Sequence, residues 1–236
     1  MSKTKRKTII DDGMNPDLVA GADFDGYFGI PIIKRPKEFI IPSGITPFSK
    51  RLRITDTNEA IGFHEMDKDF AEALIHPDSF LEALNTNILI SPEKELPIIS
   101  PDCSLYRDAP LAVQVSNVYR NRALGFHWQK RGMYVIPQVR WGNDLTYTTK
   151  ILPEKIAFLG IEKHSIVAIG SYGCIKSREN KYHFKAGLSS MMETLEPAIV
   201  LVYGSMPDKV FNEFLKYSHF IQYPNWTARK KRGGGQ

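Results

Sequence analysis

Cysteine and long hydrophobic runs are scarce in this chain of 236 residues. Its two cysteines are too few for the disulfide framework of a secreted domain, so a cytoplasmic protein is expected. The longest apolar runs, such as Ala198–Val202, are far shorter than the roughly 18 residues that span a membrane. No apolar segment follows the basic residues at the start, so no secretory signal is predicted. We therefore expect no membrane partner.

The body of the chain also lacks an excess of positive charge. The net charge of +5 comes from two basic clusters, Lys3, Lys5, Arg6 and Lys7 at one end and Arg229, Lys230, Lys231 and Arg232 at the other. Without these eight, the 31 Lys and Arg fall to 23, against 26 Asp and Glu. Such ends can attract nucleic acid by counterion release, with a salt slope of about −7 if all eight contact phosphates. The alternative is a pair of disordered, solubilising tails.

Hydrophobic patterning predicts the fold class. Short apolar strands near positions 61, 98, 135, 166, 199 and 220 are separated by 37, 37, 31, 33 and 21 residues, and each interval can hold a crossover helix. The strands at 165–170 and 198–203 are apolar without alternation, as in parallel strands covered on both faces. We predict a single α/β domain with about six mainly parallel strands, as an open sheet or a partial TIM-like barrel.

Gly and Pro residues, which interrupt helices and strands, indicate the domain boundaries and the remaining elements. Residues 1–38 are predicted to form an irregular basic arm, 39–226 the α/β domain and 227–236 a basic flexible tail. A hairpin is predicted over 50–64, and two helices within 67–85. Further helices are predicted over Leu111–Lys130, Pro153–Phe158, Lys181–Leu195 and Pro207–Tyr217.

Carboxylates that follow the predicted strands are candidate catalytic residues. Parallel α/β sheets bind their ligands beyond the carboxyl ends of the strands. Glu65, Asp102 and Asp144 occupy such positions, where they could hold Mg²⁺ or act as an acid–base pair. Their spacing fixes neither role. A cysteine nucleophile, Cys103 or Cys174 with His64 as its base, is a further possibility, although small buried cysteines are usually structural.

A second set of strand-end residues suits a phosphate. Arg140 can pair with phosphate, and Asn143, Ser171 and Tyr172 can orient a ligand by hydrogen bonds. The segment 170–174 lies between a strand and a helix, where backbone N–H groups can meet an anion. It lacks the P-loop lysine pattern. Any strand-to-helix loop is polar because Asp and Ser cap helices, so a loop without a ligand is the competing interpretation.

The predicted helix 111–130 offers a different interface. Arg120, Arg122 and Lys130 are interleaved with aromatic residues, a combination that holds nucleic acid through phosphate contacts and base stacking. Together with the C-terminal residues 229–232 they form the candidate nucleic-acid interface. The alternative is that the aromatics belong to the core and the cations form surface pairs.

Several segments together resemble a family catalogued only as a domain of unknown function, which occurs in bacteria, phages and other mobile elements. The matching segments are FHEMD at 63–67, SPDCSLYRDAP at 100–110, NVYRNRALG at 117–125, VIPQVRW at 135–141, SIVAIGSYG at 165–173, FKAGL at 184–188 and LEPAIVLVYG at 195–204. The resemblance covers roughly residues 24–215 and implies a phage or mobile-element setting, without a reaction. Cys103 stands where the family tends to have an aromatic residue, which argues against it as a family nucleophile.

Three functions stay open at this stage. The leading hypothesis is an accessory protein of a phage or mobile element that binds a nucleotide or nucleic acid at its strand ends. The second is a non-enzymatic protein that binds or inhibits a host protein. The third is a small-molecule enzyme with a barrel-type active site. Whether the protein needs a metal is left undecided by the sequence.

Overall fold

The computed structural model describes residues 14–56, 58–87 and 96–233. Short strands in this part are β1 Phe24–Asp25, β2 Ile30–Pro31, β3 Ile45–Pro47, β4 Ala60–Gly62, β5 Ile98–Ile99, β6 Val135–Ile136, β7 Ile166–Gly170, β8 Ile199–Tyr203 and β9 His219–Tyr223. The α-helices are α1 Ala71–Ile75, α2 Pro77–Asn87, α3 Leu111–Lys130, α4 Asp144–Tyr147, α5 Arg178–Leu195, α6 Asp208–Phe211 and α7 Trp226–Gly233. Short 3-10 helices cover Pro16–Val19, Phe48–Arg53, Asp67–Asp69 and Ile156–Phe158.

Seven parallel strands follow one another in chain order. Strands β3 to β6 form one parallel sheet and β7 to β9 a second. A parallel bridge between Gln138 and Ala168 links the two, with Val139 N donating to Ala168 O over 2.8 Å. Within the described part of the chain, no strand ladder joins β9 back to β3. The predicted α/β domain with mainly parallel strands is therefore confirmed, as a sheet that does not close into a barrel.

The sheet buries both of its faces, which explains its unbroken apolar strands. One cluster of buried side chains on one face of the sheet includes residues of all seven parallel strands, among them Ile45, Ala60, Ile99, Ile136, Ala168, Leu201 and Tyr223. The outer face is covered by helices. Trp128 of α3 is fully buried and stacks on Phe63 beyond β4, with ring centroids 5.5 Å apart.

Helix α5 approaches the sheet closely because of one glycine. A Cβ at Gly187 would lie 2.2 Å from Trp141 Cδ1, so only glycine lets this helix pack on the indole. The helix begins at a serine cap, where Ser177 Oγ accepts from Asn180 N over 3.0 Å. This packing sets α5 against the residues that follow β6.

Several predicted elements differ from the structure. The hairpin over 50–64 is wrong: Phe48–Arg53 forms a 3-10 helix, and β3 pairs in parallel with β4 across it. The helix predicted over Pro207–Tyr217 is reduced to the single turn of α6, and Pro153–Phe158 to a 3-10 turn. The split helices α1 and α2 and the long helix α3 agree with the sequence patterns.

The two ends of the chain also depart from expectation. The predicted irregular arm contains the antiparallel pair β1–β2, while residues 1–13, including its basic cluster, lie outside the described residues. Where a flexible tail was predicted, α7 is helical. Its Arg229 donates to both carboxylate oxygens of Glu59 and, over 3.2 Å, to Thr46 Oγ1. The helix is thereby held against β3 and the segment before β4.

Candidate functional site

A cavity of about 520 Å³ opens at the carboxyl ends of β5, β6 and β7. Parallel strands bring the segments that follow them to one edge of the sheet, so residues distant in sequence meet there. Four segments line the cavity: 105–108 after β5, 138–142 after β6, 169–170 and 172–174 at the end of β7, and residues of the first turns of α5. The volume falls within the roughly 300–1,000 Å³ of small-molecule sites.

An ion pair spans two of these segments. Arg140 Nη1 donates to Asp102 Oδ2 over 2.7 Å, with the aspartate side chain 5% exposed and the arginine side chain 28% exposed. The negative charge of Asp102 raises the pKa of Arg140, and this outweighs the opposing effect of burial. Arg140 therefore remains cationic at any physiological pH, and its exposed portion faces the cavity.

Gln138 also lines the cavity, and His64 and Asp102 lie behind the lining; we call these three residues the recess. The His64 ring stacks on Tyr203 with centroids 4.6 Å apart, and its Nε2 lies 3.0 Å from Gln138 Oε1. Burial lowers the pKa of His64 although Asp102 acts to raise it, so the imidazole is neutral at pH 7. Within the described residues, His64 Nδ1, Asp102 Oδ1 and Gln138 Nε2 are buried without a hydrogen-bond partner.

Aromatic residues form the rim and one wall of the cavity. Tyr106 and Tyr172 stand at the rim with 59% and 58% of their surface exposed. Trp141 and Phe184 also line the cavity but are buried, with ring centroids 5.3 Å apart. Trp141 Nε1 donates to His183 O over 3.1 Å, which fixes the indole against the first turns of α5. The cavity thus combines a cation, a polar floor and exposed aromatic rings.

All residues that line the cavity lie within the part of the chain that matches one protein family. Residues 22–224 match the family described as a domain of unknown function, DUF4417. The chain belongs to this family. Two relatives are each called "Gene 1 protein": one from Mycobacterium phage D29, 33% identical over 150 residues, and one from Mycobacterium phage L5, 35% identical over 134 residues.

These alignments are partial. They cover 60% and 57% of this chain and 52% and 54% of the phage proteins, so the chain spans about half the length of these curated relatives. No solved structure matches the chain. No helix in the described ranges is long and apolar enough to cross a membrane. The family assignment therefore supplies a phage connection, and the chemistry has to be argued from the residues themselves.

Within this DUF4417 domain, the predicted phosphate-binding residues have unequal positions. Arg140 and Tyr172 line the cavity. Asn143 instead caps α4, accepting from Leu145 N, and donates to Arg107 O over 2.8 Å. Ser171 is buried and donates to Ser205 O over 2.6 Å. Asn143 and Ser171 therefore hold the loops in place rather than lining the cavity.

The three predicted catalytic carboxylates have separate partners. Asp102 pairs with Arg140, Asp144 with Lys150 over 3.1 Å, and Glu65 accepts from Ser49 N over 2.9 Å. Nowhere in the described ranges do three or more His, Cys, Asp or Glu residues form a group that could hold a metal ion. The three carboxylates therefore form no common Mg²⁺ group among the described residues, and the alternative of an acid–base pair stays a prediction.

The two cysteines do not share the cavity. Cys103 is buried in the apolar cluster beneath α3, and this burial raises the pKa of its thiol. Only Cys174 lines the cavity, and burial raises its thiol pKa as well. His64 is engaged with Gln138. The hypothesis of a cysteine nucleophile activated by His64 therefore loses its geometric basis, since neither thiol is favoured as thiolate.

Helix α3 is a structural element rather than a basic surface. Arg122 is 2% exposed and donates to the backbone oxygens of Gln138, Ala157 and Leu159. This burial lowers the pKa of Arg122 to about 9. Its assignment to nucleic-acid contact is corrected, because phosphate cannot reach a guanidinium enclosed by carbonyl groups. Its neighbours are also engaged: Arg120 donates to Asn117 Oδ1 over 3.1 Å, and Lys130 to Ala20 O.

The C-terminal cations are likewise partly engaged. Arg229 is held by Glu59, and Lys230 Nζ lies 5.8 Å from the centre of the Trp226 ring. Helix α7 includes Lys231 and Arg232, whose side chains lie outside the described residues. Arg229 is therefore partly committed to Glu59, although 38% of its side chain is exposed.

Gln138 is the site residue that the sequence analysis missed. It lies on the extension of β6, two positions before Arg140, and both residues line the cavity. Residues two apart on an extended segment share a face, so the motif Gln-Val-Arg at 138–140 carried a usable signal. His64 was noted only as a possible base. Its position on Tyr203 depends on contacts between β4 and β8 that no local pattern reveals.

Proposed function

We propose that the strand-end cavity binds one nucleotide unit, either free or within a nucleic-acid strand. The observation that carries this proposal is the pair of exposed tyrosines, Tyr106 and Tyr172, at the rim of a cavity that contains Arg140. Exposed aromatic rings beside a cation are the means by which proteins hold nucleotides without reading their sequence. The cavity volume of about 520 Å³ suits a ligand of this size rather than a lone phosphate.

Charge around the cavity supports the same ligand. Asp102 holds the guanidinium of Arg140 in one orientation, which leaves a pre-organised donor for a phosphate oxygen. Lys176, Arg178 and Lys181 are exposed on the adjoining loop and the first turn of α5. No acidic partner for these three occurs among the residues described in this structure. They would attract the neighbouring phosphates of a strand.

The family relatives support a biological setting for this binding. Both are encoded by mycobacteriophages, and a nucleotide-binding accessory protein of a phage or mobile element accords with that origin. Because the chain spans only about half of each relative, the setting applies to the matched domain alone.

A titration with a labelled oligonucleotide and with mononucleotide competitors tests the proposal. Tyr172→Ala should weaken oligonucleotide binding about 5- to 150-fold, the loss of one stacked base at about 1–3 kcal/mol. Tyr217→Ala is the matched control, because Tyr217 is 66% exposed and lies just before β9, at the opposite edge of the sheet. Equal affinities for the wild-type protein and both variants would refute the role of the rim.

A protein partner is the second candidate, favoured by one exposed aromatic surface. Phe24, Tyr27 and Phe28 project from the β1–β2 pair, and Tyr27 is 85% exposed. Exposed aromatic clusters are typical of protein interfaces. A host-protein complex formed through this pair should be lost when all three residues are changed to Ser and should survive Tyr172→Ala. The reverse pattern would assign the interaction to the cavity.

A further inference from the structure

We infer that the recess of His64, Asp102 and Gln138 binds the hydrogen-bonding edge of the nucleobase, an inference that rests on the proposed function. Natural proteins leave few buried polar atoms without a partner, and such atoms point to a bound group. Here Gln138 Nε2, in a residue that lines the cavity, and Asp102 Oδ1, beside Arg140, have no partner among the described residues, while the third such atom, His64 Nδ1, is turned towards Gly62. The side chains of Asp102 and Gln138 belong to residues only 4% and 1% exposed.

The hydrogen bonds already made determine what the recess can still offer. Gln138 Oε1 can only accept, so its 3.0 Å contact with His64 Nε2 requires the tautomer protonated at Nε2 and leaves the Gln138 amide N–H₂ as a free donor. Arg140 occupies Asp102 Oδ2, which leaves Oδ1 as a free acceptor. The recess therefore presents a donor and an anionic acceptor at the same time.

This combination selects a nucleobase over a phosphate. Every nucleobase has hydrogen-bond donors and acceptors side by side on its pairing edge, as the recess requires. A phosphate at neutral pH has chiefly acceptor oxygens, which the free Asp102 oxygen would repel. The recess is thus complementary to the base, while the exposed part of Arg140 remains for the phosphate.

Gly170 connects the recess to the cavity. It lines the cavity, and a Cβ at this position would lie 2.9 Å from His64 Cδ2 and 3.8 Å from Asp102 Oδ2. Any side chain would fill the space between the two compartments. A planar base entering between the rim tyrosines and the Trp141 wall would meet Gln138 at the floor.

Isothermal titration of the whole protein with AMP, GMP, CMP, UMP and ribose 5-phosphate tests the inference. Ribose 5-phosphate has the sugar and phosphate without a base, so it separates the two parts of the ligand. At least one nucleotide should bind the wild-type protein tenfold or more tightly than ribose 5-phosphate does. Equal affinities would overturn the inference without any variant being needed.

Gln138→Glu provides the sharper test. It keeps the acceptor for His64 and replaces the free N–H₂ donor by an oxygen. The preferred nucleotide should lose at least tenfold in affinity, and ribose 5-phosphate should stay within twofold. Gln138→Met removes the donor without adding charge and should cause a similar loss. Gln129→Glu adds the same charge on α3, where Gln129 bonds Lys34, and should leave both ligands unaffected.

The outcomes separate the two proposals. If nucleotides bind and both Gln138 variants bind them as the wild-type protein does, the recess holds ordered water only and the inference is refuted, while the proposed function stands. If neither the nucleotides nor the labelled oligonucleotide binds the wild-type protein, the proposed function fails and the inference falls with it. Thermal unfolding of each variant shows whether a loss of binding reflects a loss of the fold.

Discussion

Arg140 and Asp102 join the ends of two neighbouring strands, with Nη1 and Oδ2 2.7 Å apart. The aspartate lies almost wholly inside the protein, while part of the arginine reaches the cavity. The pair therefore fixes the edge of the sheet and presents a cation to a ligand. Its removal should affect the stability of the fold as well as binding.

Asp102→Ala should lower the free energy of unfolding by about 2–3 kcal/mol, because it leaves a largely buried guanidinium without its charged partner. Urea denaturation measures this change. Asp144→Ala is the control, since the Asp144–Lys150 pair is largely exposed and should change stability by less than about 0.5 kcal/mol. Equal effects of the two substitutions would contradict the structural role of the Arg140–Asp102 pair.

The Glu59–Arg229 pair should make stability depend on acid pH. Burial acts to raise the pKa of Glu59, but hydrogen bonds from Arg229 and Thr46 lower it below 4.5 overall. A depressed carboxyl pKa contributes stability above pH 4.5 that is lost as the pH falls through the folded-state value. The stability difference between the wild-type protein and Arg229→Ala should be largest at pH 7 and shrink towards pH 3.

Denaturation at several pH values checks this prediction. Lys209→Ala serves as the control because Lys209 is exposed on α6, away from α7, and its difference from the wild-type protein should not change with pH. A difference between wild type and Arg229→Ala that stays constant from pH 7 to pH 3 would show that the contact stabilises through packing alone.

His64 should act in a separate pH range. Its folded-state pKa lies below 6.5, so the unfolded chain binds a proton first as the pH falls. Stability contributed by neutral His64 is complete above pH 6.5 and declines as the pH falls towards the folded-state pKa. His64→Gln should remove this dependence, and His76→Gln, at an exposed position, should retain it. Urea denaturation between pH 8 and pH 5 distinguishes the variants.

Salt dependence should identify the cations that contact a strand. Each phosphate contact on a single strand contributes about −0.7 to the slope of log K against log salt concentration. Changing Lys176, Arg178 and Lys181 together to Gln should reduce the slope by about 2. The control changes three exposed lysines elsewhere, Lys37, Lys209 and Lys216, and should leave the slope intact. Equal slopes for the two triple variants would place the strand elsewhere.

The main parallel strands were predicted well because a strand that is buried on both faces consists of consecutive apolar residues, which are visible in the sequence. Ile166–Gly170 and Ile199–Tyr203 are continuous apolar segments. They can be located in the sequence without knowing which strands pair with them. The parallel pairing of β3 with β4 was missed. It depends on Thr46 lying beside Ile61, with a 3-10 helix between them, and no periodicity in the chain encodes that contact.

The site was only partly predictable for a similar reason. Arg140 and Tyr172 were predicted because ligands bind at the carboxyl ends of parallel strands, and only the position of each strand end has to be known to apply this rule. The partner of Gln138 is His64, 74 residues away, and their contact follows from the curvature of the sheet. Arg122 would be expected at the surface from its residue type alone. Only the carbonyls of 157–159, brought against α3 by the fold, show that it is internal.

The contact of α7 with the start of the sheet has a mechanical consequence. Side-chain hydrogen bonds join β9 and α7 to the residues around β3 and β4, a junction that we call the seam. Tyr223 Oη donates to Pro42 O over 2.6 Å, and Arg229 donates to Glu59. Opening this seam would break no strand ladder, whereas parting neighbouring strands within β3 to β6 or within β7 to β9 would. The seam and the single bridge between β6 and β7 are the two junctions without a ladder among the described parallel strands. Amide hydrogens of β9, at the seam, should therefore exchange faster than those of β8, which is paired on both sides.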